Sequence, residues 1–216
     1  MMSKAHKDGN LSEIKELYRN SVSKLAFVFL PATILLIFIA EPLILTMFTE
    51  TYRDSIPIFM IYLILVPTYS LNLGWILMAS GQTKYLLKLA VSMSIINVIL
   101  SYWLLTSLEG DNRLLGIPFS TVLVTWLSTI IVMRKSLTII KSSFFETYPL
   151  EDMWKTVSVS ALSVLPIIIL TSLDLSNVFT LISSIILFGA VFLVLSVKLK
   201  LIGENEIKMM KSFLPF

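Results

Sequence analysis

The tightest constraint on this chain is the length of its uncharged stretches. Ser55–Thr83 runs for 29 residues without a charged side chain, Leu89–Leu108 and Leu114–Met133 for 20 each, Thr156–Leu173 for 18 and Leu175–Val197 for 23. Leu25–Ala40 is followed, after Glu41, by a further apolar run to Phe48. About 20 apolar residues in a helix cross a bilayer core of about 30 Å. The composition agrees, since only 14% of the 216 residues are charged, against roughly 25% in soluble domains. The expectation is an all-α integral membrane protein of six transmembrane helices, at about 25–48, 55–79, 88–108, 114–134, 155–173 and 175–198. These spans form one membrane domain over 25–200. A charged amphipathic segment, 1–24, precedes it and a polar tail, 201–216, follows.

The basic residues orient the spans. Lys4, Lys7, Lys15, Arg19 and Lys24 precede the first, Lys84 and Lys88 follow the second, and Arg134, Lys135, Lys141 and Lys155 follow the fourth. Lys198, Lys200, Lys208 and Lys211 follow the last, so these loops and ends hold 15 of the 17 basic residues. The alternate loops hold Arg53 and Arg113 alone. Short cytoplasmic loops carry the Lys/Arg excess, so both termini are expected in the cytoplasm of a multi-pass cell-membrane protein. Tyr102, Trp103 and Trp154 fall at expected membrane borders, where aromatic belts form. Asn10 and Glu13 have the spacing of a capping box, and Leu11, Ile14, Tyr18, Val22 and Leu25 follow at helical intervals. That pattern predicts a helix lying against the membrane or packed on the bundle.

Several chemistries are absent from the residue inventory. The chain has no Cys and a single His, His6, so disulfides, thiol catalysis and His/Cys metal sites are not expected. No glycine-rich phosphate loop and no nucleophile elbow occurs. The basic residues are spread over membrane borders instead of being clustered for phosphate contacts, which argues against a nucleic-acid partner. No charged residue falls mid-span: Glu41, Arg53, Asp54, Glu109, Asp111, Arg113 and Asp174 all lie at outer ends. Enzyme function is not expected, nor is any cofactor or metal.

The polar and kinking residues inside the spans are the remaining candidates. Pro31, Pro67 and Pro166 each remove a backbone donor, stranding the carbonyls of Phe27, Leu63 and Leu162, so kinks are expected there. Asn72 and Asn97 are the most polar mid-span side chains, and each can either line a substrate cavity or bridge to a neighbouring helix. Bridging is the better expectation for both. Thr121, Thr125 and Thr129 form one hydroxyl stripe, and Thr156, Ser160 and Ser163 another, the usual mark of close helix contact. Asn72, Asn97 and Thr125 are the candidate substrate-binding residues.

The order of features between spans resembles that of a known transporter family. Leu17-Tyr18-Arg19-Asn20-Ser21 leads into a span with Pro31 that ends Ala40-Glu41-Pro42. Phe48-Thr49-Glu50-Thr51-Tyr52-Arg53-Asp54-Ser55 precedes Pro57-Ile58-Phe59. Ala79-Ser80-Gly81-Gln82-Thr83-Lys84 follows the second span, and Ile96-Asn97-Val98-Ile99-Leu100 precedes Gly116-Ile117-Pro118-Phe119-Ser120-Thr121. Over residues 10–135 the chain resembles the carboxy-terminal lobe of Wzx-type polysaccharide flippases. These belong to the multidrug/oligosaccharidyl-lipid/polysaccharide exporter superfamily, with the lipid II flippases and the multidrug and toxin extrusion (MATE) transporters. Two positions depart from that pattern: Thr49 and Arg113 stand where such proteins usually carry Gly.

The resemblance implies one lobe of a MATE-like flippase that moves a lipid-linked oligosaccharide across the cytoplasmic membrane in polysaccharide biosynthesis. Its implied partners are the bilayer, the lipid-linked saccharide, and an amino-terminal lobe or second copy, since the cavity lies between lobes. Two alternatives stay open at this point: a small homodimeric transporter of unrelated fold, and a membrane accessory subunit that transports nothing.

Overall fold

The computed structural model describes residues 11–71, 74–173 and 175–201. Asn10, Asn72 and the tail beyond Leu201 lie outside them. Among the described residues every regular element is helical. Five segments are long and apolar enough to cross a membrane: Ile14–Phe38, Thr83–Ser107, Asn112–Ile139, Leu150–Thr171 and Asn177–Lys198. A further apolar stretch, Ser55–Leu71, is shorter and interrupted. The expected second span is therefore not one continuous helix.

Helix α1 (Leu11–Phe38) joins the amphipathic segment and the first span in a single rod of 28 residues, about 42 Å long at 1.5 Å per residue. Ile14, Tyr18, Val22 and Ala26 recur every four residues and are all buried. This face packs on the bundle. The helix continues past Pro31 to Phe38 and resumes beyond Ile39 as α2 (Ala40–Phe48). The turn after α2 holds Thr49 at φ 70° and ψ 174°, a region that suits glycine and crowds a β-branched side chain. That is one of the two positions where the resembling family carries Gly. Arg53, in the same turn, donates to Glu50 at 2.9 Å and to Glu41 at 2.5 Å. Glu41, in the first turn of α2, is thus held in an exposed ion pair.

The next stretch comprises α3 (Ser55–Leu63) and α4 (Val66–Leu71), interrupted at Ile64–Leu65, and α5 (Gly74–Ala79). Helices α6 (Thr83–Ser107) and α7 (Gly116–Ile139) follow, then a one-turn α8 (Phe144–Thr147) with a Ser143/Glu146 capping box. The last apolar pair is α9 (Leu150–Ser163) with α10 (Leu165–Thr171), interrupted at Val164, and α11 (Asn177–Lys198). The Ser176 hydroxyl caps α11 by accepting from Phe179 N–H.

Across the bundle the order is α6, α7, the split stretch, α1, then α9–α10, with α11 also touching α2. Two apolar clusters hold it. One joins Ile14, Tyr18 and Val22 to Ile76, Leu77, Val132, Ile140 and Tyr148; the other joins Ile39, Val159, Val164 and Ile167 to Phe188 and Phe192. Helix α6 stands at the edge against α7. A Cβ at Gly116 would lie 2.8 Å from Leu104 Cβ and 3.2 Å from the Leu104 carbonyl carbon, so only glycine admits this approach. The outer surface of α6 exposes Leu87, Val91, Ile95, Val98 and Tyr102, which suits lipid and not water.

Candidate functional site: a hydroxyl-lined groove beside a jointed span

In lipid every backbone carbonyl needs a donor within the protein, because no water reaches it. Pro67 supplies none for Leu63, and the chain tightens ahead of it. Ile64 N–H bonds Ile61 O at 3.1 Å, Leu65 N–H bonds Tyr62 O at 2.9 Å and Thr68 N–H bonds Leu65 O at 2.9 Å. The Thr68 hydroxyl also donates to Leu65 O, at 2.6 Å. The Ile64 carbonyl is taken by a side chain from another helix: Trp126 Nε1 on α7 donates to it at 3.1 Å.

Further along the stretch, two tyrosines close on the Leu71 carbonyl. Tyr148 Oη donates to Leu71 O at 2.9 Å, while Tyr18 Oη lies 3.2 Å from the same oxygen and 3.1 Å from Tyr148 Oη. Both side chains are 1% exposed. The rings meet edge-on at 5.6 Å, and Trp75 and Phe144 pack around them at 5.4 Å from Tyr18 and 4.7 Å from Tyr148. Burial pushes the Tyr148 hydroxyl up to about 12, so it remains a proton donor at physiological pH.

Between this stretch, α1, α6 and α7 lies an open groove made of two adjoining cavities of about 590 and 370 Å³ that share Tyr69, Ala90 and Ser128. Each is within the roughly 300–1,000 Å³ of small-molecule sites. The described lining includes Ser21, Ser70, Thr68, Ser94, Thr125 and Thr129 together with Tyr69 and Trp75, and no charged side chain. Such walls offer neutral hydrogen bonds and aromatic faces to a polar, uncharged group.

The family model for the lipid II flippase MurJ matches residues 1–197. The chain belongs to the MurJ lipid II flippase family. Members of this family are membrane transporters that flip a lipid-linked precursor, and the match falls within the superfamily that the Wzx-type resemblance indicated. No curated protein and no solved structure matches the chain.

In this MurJ-family chain the candidate residues divide. Asn97 lies on α6 and Thr125 on α7, and both line the 370 Å³ cavity. Asn97 Nδ2 donates to Thr121 Oγ1 at 3.4 Å, and its Oδ1 lies 3.1 Å from Ser120 Oγ and 3.3 Å from Ser101 Oγ. Two of these bonds, to Thr121 and Ser120, join α6 to α7, and the third stays within α6. Asn72 lies outside the described residues. Pro67 and Pro166 follow the interruptions at Ile64–Leu65 and Val164, whereas Pro31 sits inside an unbroken α1. Among the described residues no group of His, Cys, Asp and Glu is arranged to hold a metal.

Sequence reasoning does not single out Trp126, Tyr148 or the part Tyr18 takes at Leu71. Trp126 falls in an apolar run as any core aromatic does, and Tyr148 in a connecting loop. The one partial signal is the carbonyl that each in-span proline strands, which calls for a donor from elsewhere.

Proposed function

We propose that this chain forms one lobe of a flippase for a lipid-linked saccharide precursor, acting with an amino-terminal lobe or a second copy of itself in the cell membrane. The family match over residues 1–197 carries the reading. The six-span arrangement with both termini cytoplasmic completes it: the jointed stretch Ser55–Ala79 then counts as the second span, and the 15 basic residues fall on one side. The uncharged groove supports a saccharide as the polar part of the cargo, with Thr125 contacting it and Asn97 holding the wall on which Thr125 sits.

The chain lacks cysteine, which makes a single introduced thiol a clean probe. Thr125→Cys in vesicles is expected to lose labelling by a polar maleimide when a lipid-linked saccharide is present. The same lipid without its saccharide should leave the labelling rate unchanged. Equal protection by both lipids would contradict saccharide recognition in this groove. Flipping by vesicles that hold a single copy of the chain would contradict the need for a partner.

A further inference from the structure

A second cavity, of about 430 Å³, opens between α1, α9 and α11. Its walls change character along α1. Arg19, Asn20, Ser23 and Lys24 line one end, with Asp152 from the start of α9, and Phe27, Val28 and Leu193 line the other. The change falls where the uncharged run of α1 begins, at Leu25, hence at the membrane border. Phe27 packs on Phe192 at 5.2 Å, giving the apolar end a firm wall. Ser23 Oγ donates to Asp152 Oδ2 at 3.2 Å and holds that carboxylate at the polar end. The neighbouring Glu151 is engaged by Lys155 at 2.6 Å.

We propose that this cavity binds the headgroup of a zwitterionic aminophospholipid, with the acyl chains running down the apolar wall. Two cations and one carboxylate line it, and that is the complement of a phosphodiester anion joined to a primary ammonium. The Arg19 guanidinium presents a planar fork suited to phosphate, and Lys24 adds a second positive charge. Asp152 accepts from the ammonium. Basic pockets between membrane helices at the interface are established hosts of phosphate headgroups; here the added carboxylate selects among them. A phosphatidylglycerol would set an uncharged glycerol against Asp152, and a phosphatidylcholine would bring an ammonium with no N–H to donate. The proposal does not depend on what the groove beside the jointed span carries.

The test is a competition in nanodiscs holding equal parts of phosphatidylethanolamine, phosphatidylglycerol and phosphatidylcholine. Native mass spectrometry of the full chain then reads the retained lipids. The wild type is expected to retain phosphatidylethanolamine several-fold above its bulk share. Asp152→Asn should reverse the preference toward phosphatidylglycerol, and Arg19→Gln combined with Lys24→Gln should remove enrichment of both. Retained lipids in bulk proportion, or enrichment of phosphatidylglycerol by the wild type, would overturn the proposal. So would an Asp152→Asn protein that keeps the wild-type ratio. The wild-type competition decides by itself where a variant fails to insert.

Discussion

In Leu150–Thr171 the interruption at Val164 is closed from within. Val164 N–H bonds Ala161 O at 3.3 Å, Ile167 and Ile168 N–H bond Val164 O at 2.8 and 3.1 Å, and the Ser163 hydroxyl back-bonds Val159 O at 2.8 Å. In Ser55–Ala79 the interruption at Ile64–Leu65 has the same kind of local bonds but adds donors from far along the chain: Trp126 on α7 bonds Ile64 O, and beyond it Tyr18 on α1 with Tyr148 after α8 bond Leu71 O. Local bonds hold wherever the neighbours go, whereas those from α1, α7 and the α8–α9 link hold only while those elements keep their places. The Ser55–Ala79 stretch is therefore tied to its neighbours by side-chain bonds that add to its local ones. The bonds named at the interruption before Pro166 lie within its own stretch.

The largest effect expected from this contrast is that of removing both tyrosine hydroxyls. Tyr18→Phe with Tyr148→Phe leaves the half-buried Leu71 carbonyl without its two side-chain donors, and an acceptor deprived of its donors away from water costs about 1–3 kcal/mol. Unfolding of the solubilised chain in graded denaturant should show a loss in that range, and an unchanged midpoint would break the comparison. Next comes Trp126→Phe, which keeps an aromatic ring against the interruption at Ile64–Leu65 but removes the donor to Ile64 O. A loss of about 1 kcal/mol is expected by the same assay. Thr49→Gly acts in the opposite direction on the turn leading into Ser55–Ala79. Its backbone sits in a region that costs non-glycine residues about 1–3 kcal/mol, partly offset by the extra unfolded-state freedom of glycine. A gain of about 1 kcal/mol in thermal unfolding is expected, and a loss would show that the strain is relieved elsewhere. The smallest effect belongs to the other interrupted span. Ser163→Ala removes a hydroxyl that back-bonds within its own helix, so a change below about 0.5 kcal/mol is expected. A cost equal to that of the tyrosine pair would erase the distinction.

Much of the fold was legible because the force that dominates it is simple. Uncharged runs of about 20 residues leave few options besides membrane helices, and the helical spacing of Ile14, Tyr18 and Val22 marks the face by which α1 packs. The interrupted second stretch was less legible. A proline's missing N–H can be read from any sequence, but the donor that takes up a stranded carbonyl depends on which helices become neighbours. Trp126 lies 62 residues from Ile64, and Tyr148 lies 77 from Leu71; nothing local to either aromatic marks the pairing. The groove shows the same limit. Thr125 belongs to a hydroxyl stripe, Asn97 is the obvious mid-span amide, and Ser101 stands four residues on along the same helix, yet nothing in the sequence marks Ser120, which shares the Asn97 carbonyl oxygen with it. Helix contact fixes the Asn97–Ser120 pair, near the close approach at Gly116.

The strongest tie of the interrupted second stretch to its neighbours is that Tyr18 and Tyr148 act together on one of its carbonyls. The most direct test is a double-mutant cycle on unfolding free energy, comparing the wild type, Tyr18→Phe, Tyr148→Phe and the double variant. Either hydroxyl lies within reach of Leu71 O, at 3.2 and 2.9 Å, so each single variant should retain one donor. The predicted result is a double variant that loses clearly more than the two single losses added together. Single losses that add up to the double one, or one tyrosine carrying the whole effect, would contradict a shared clamp on Leu71 O.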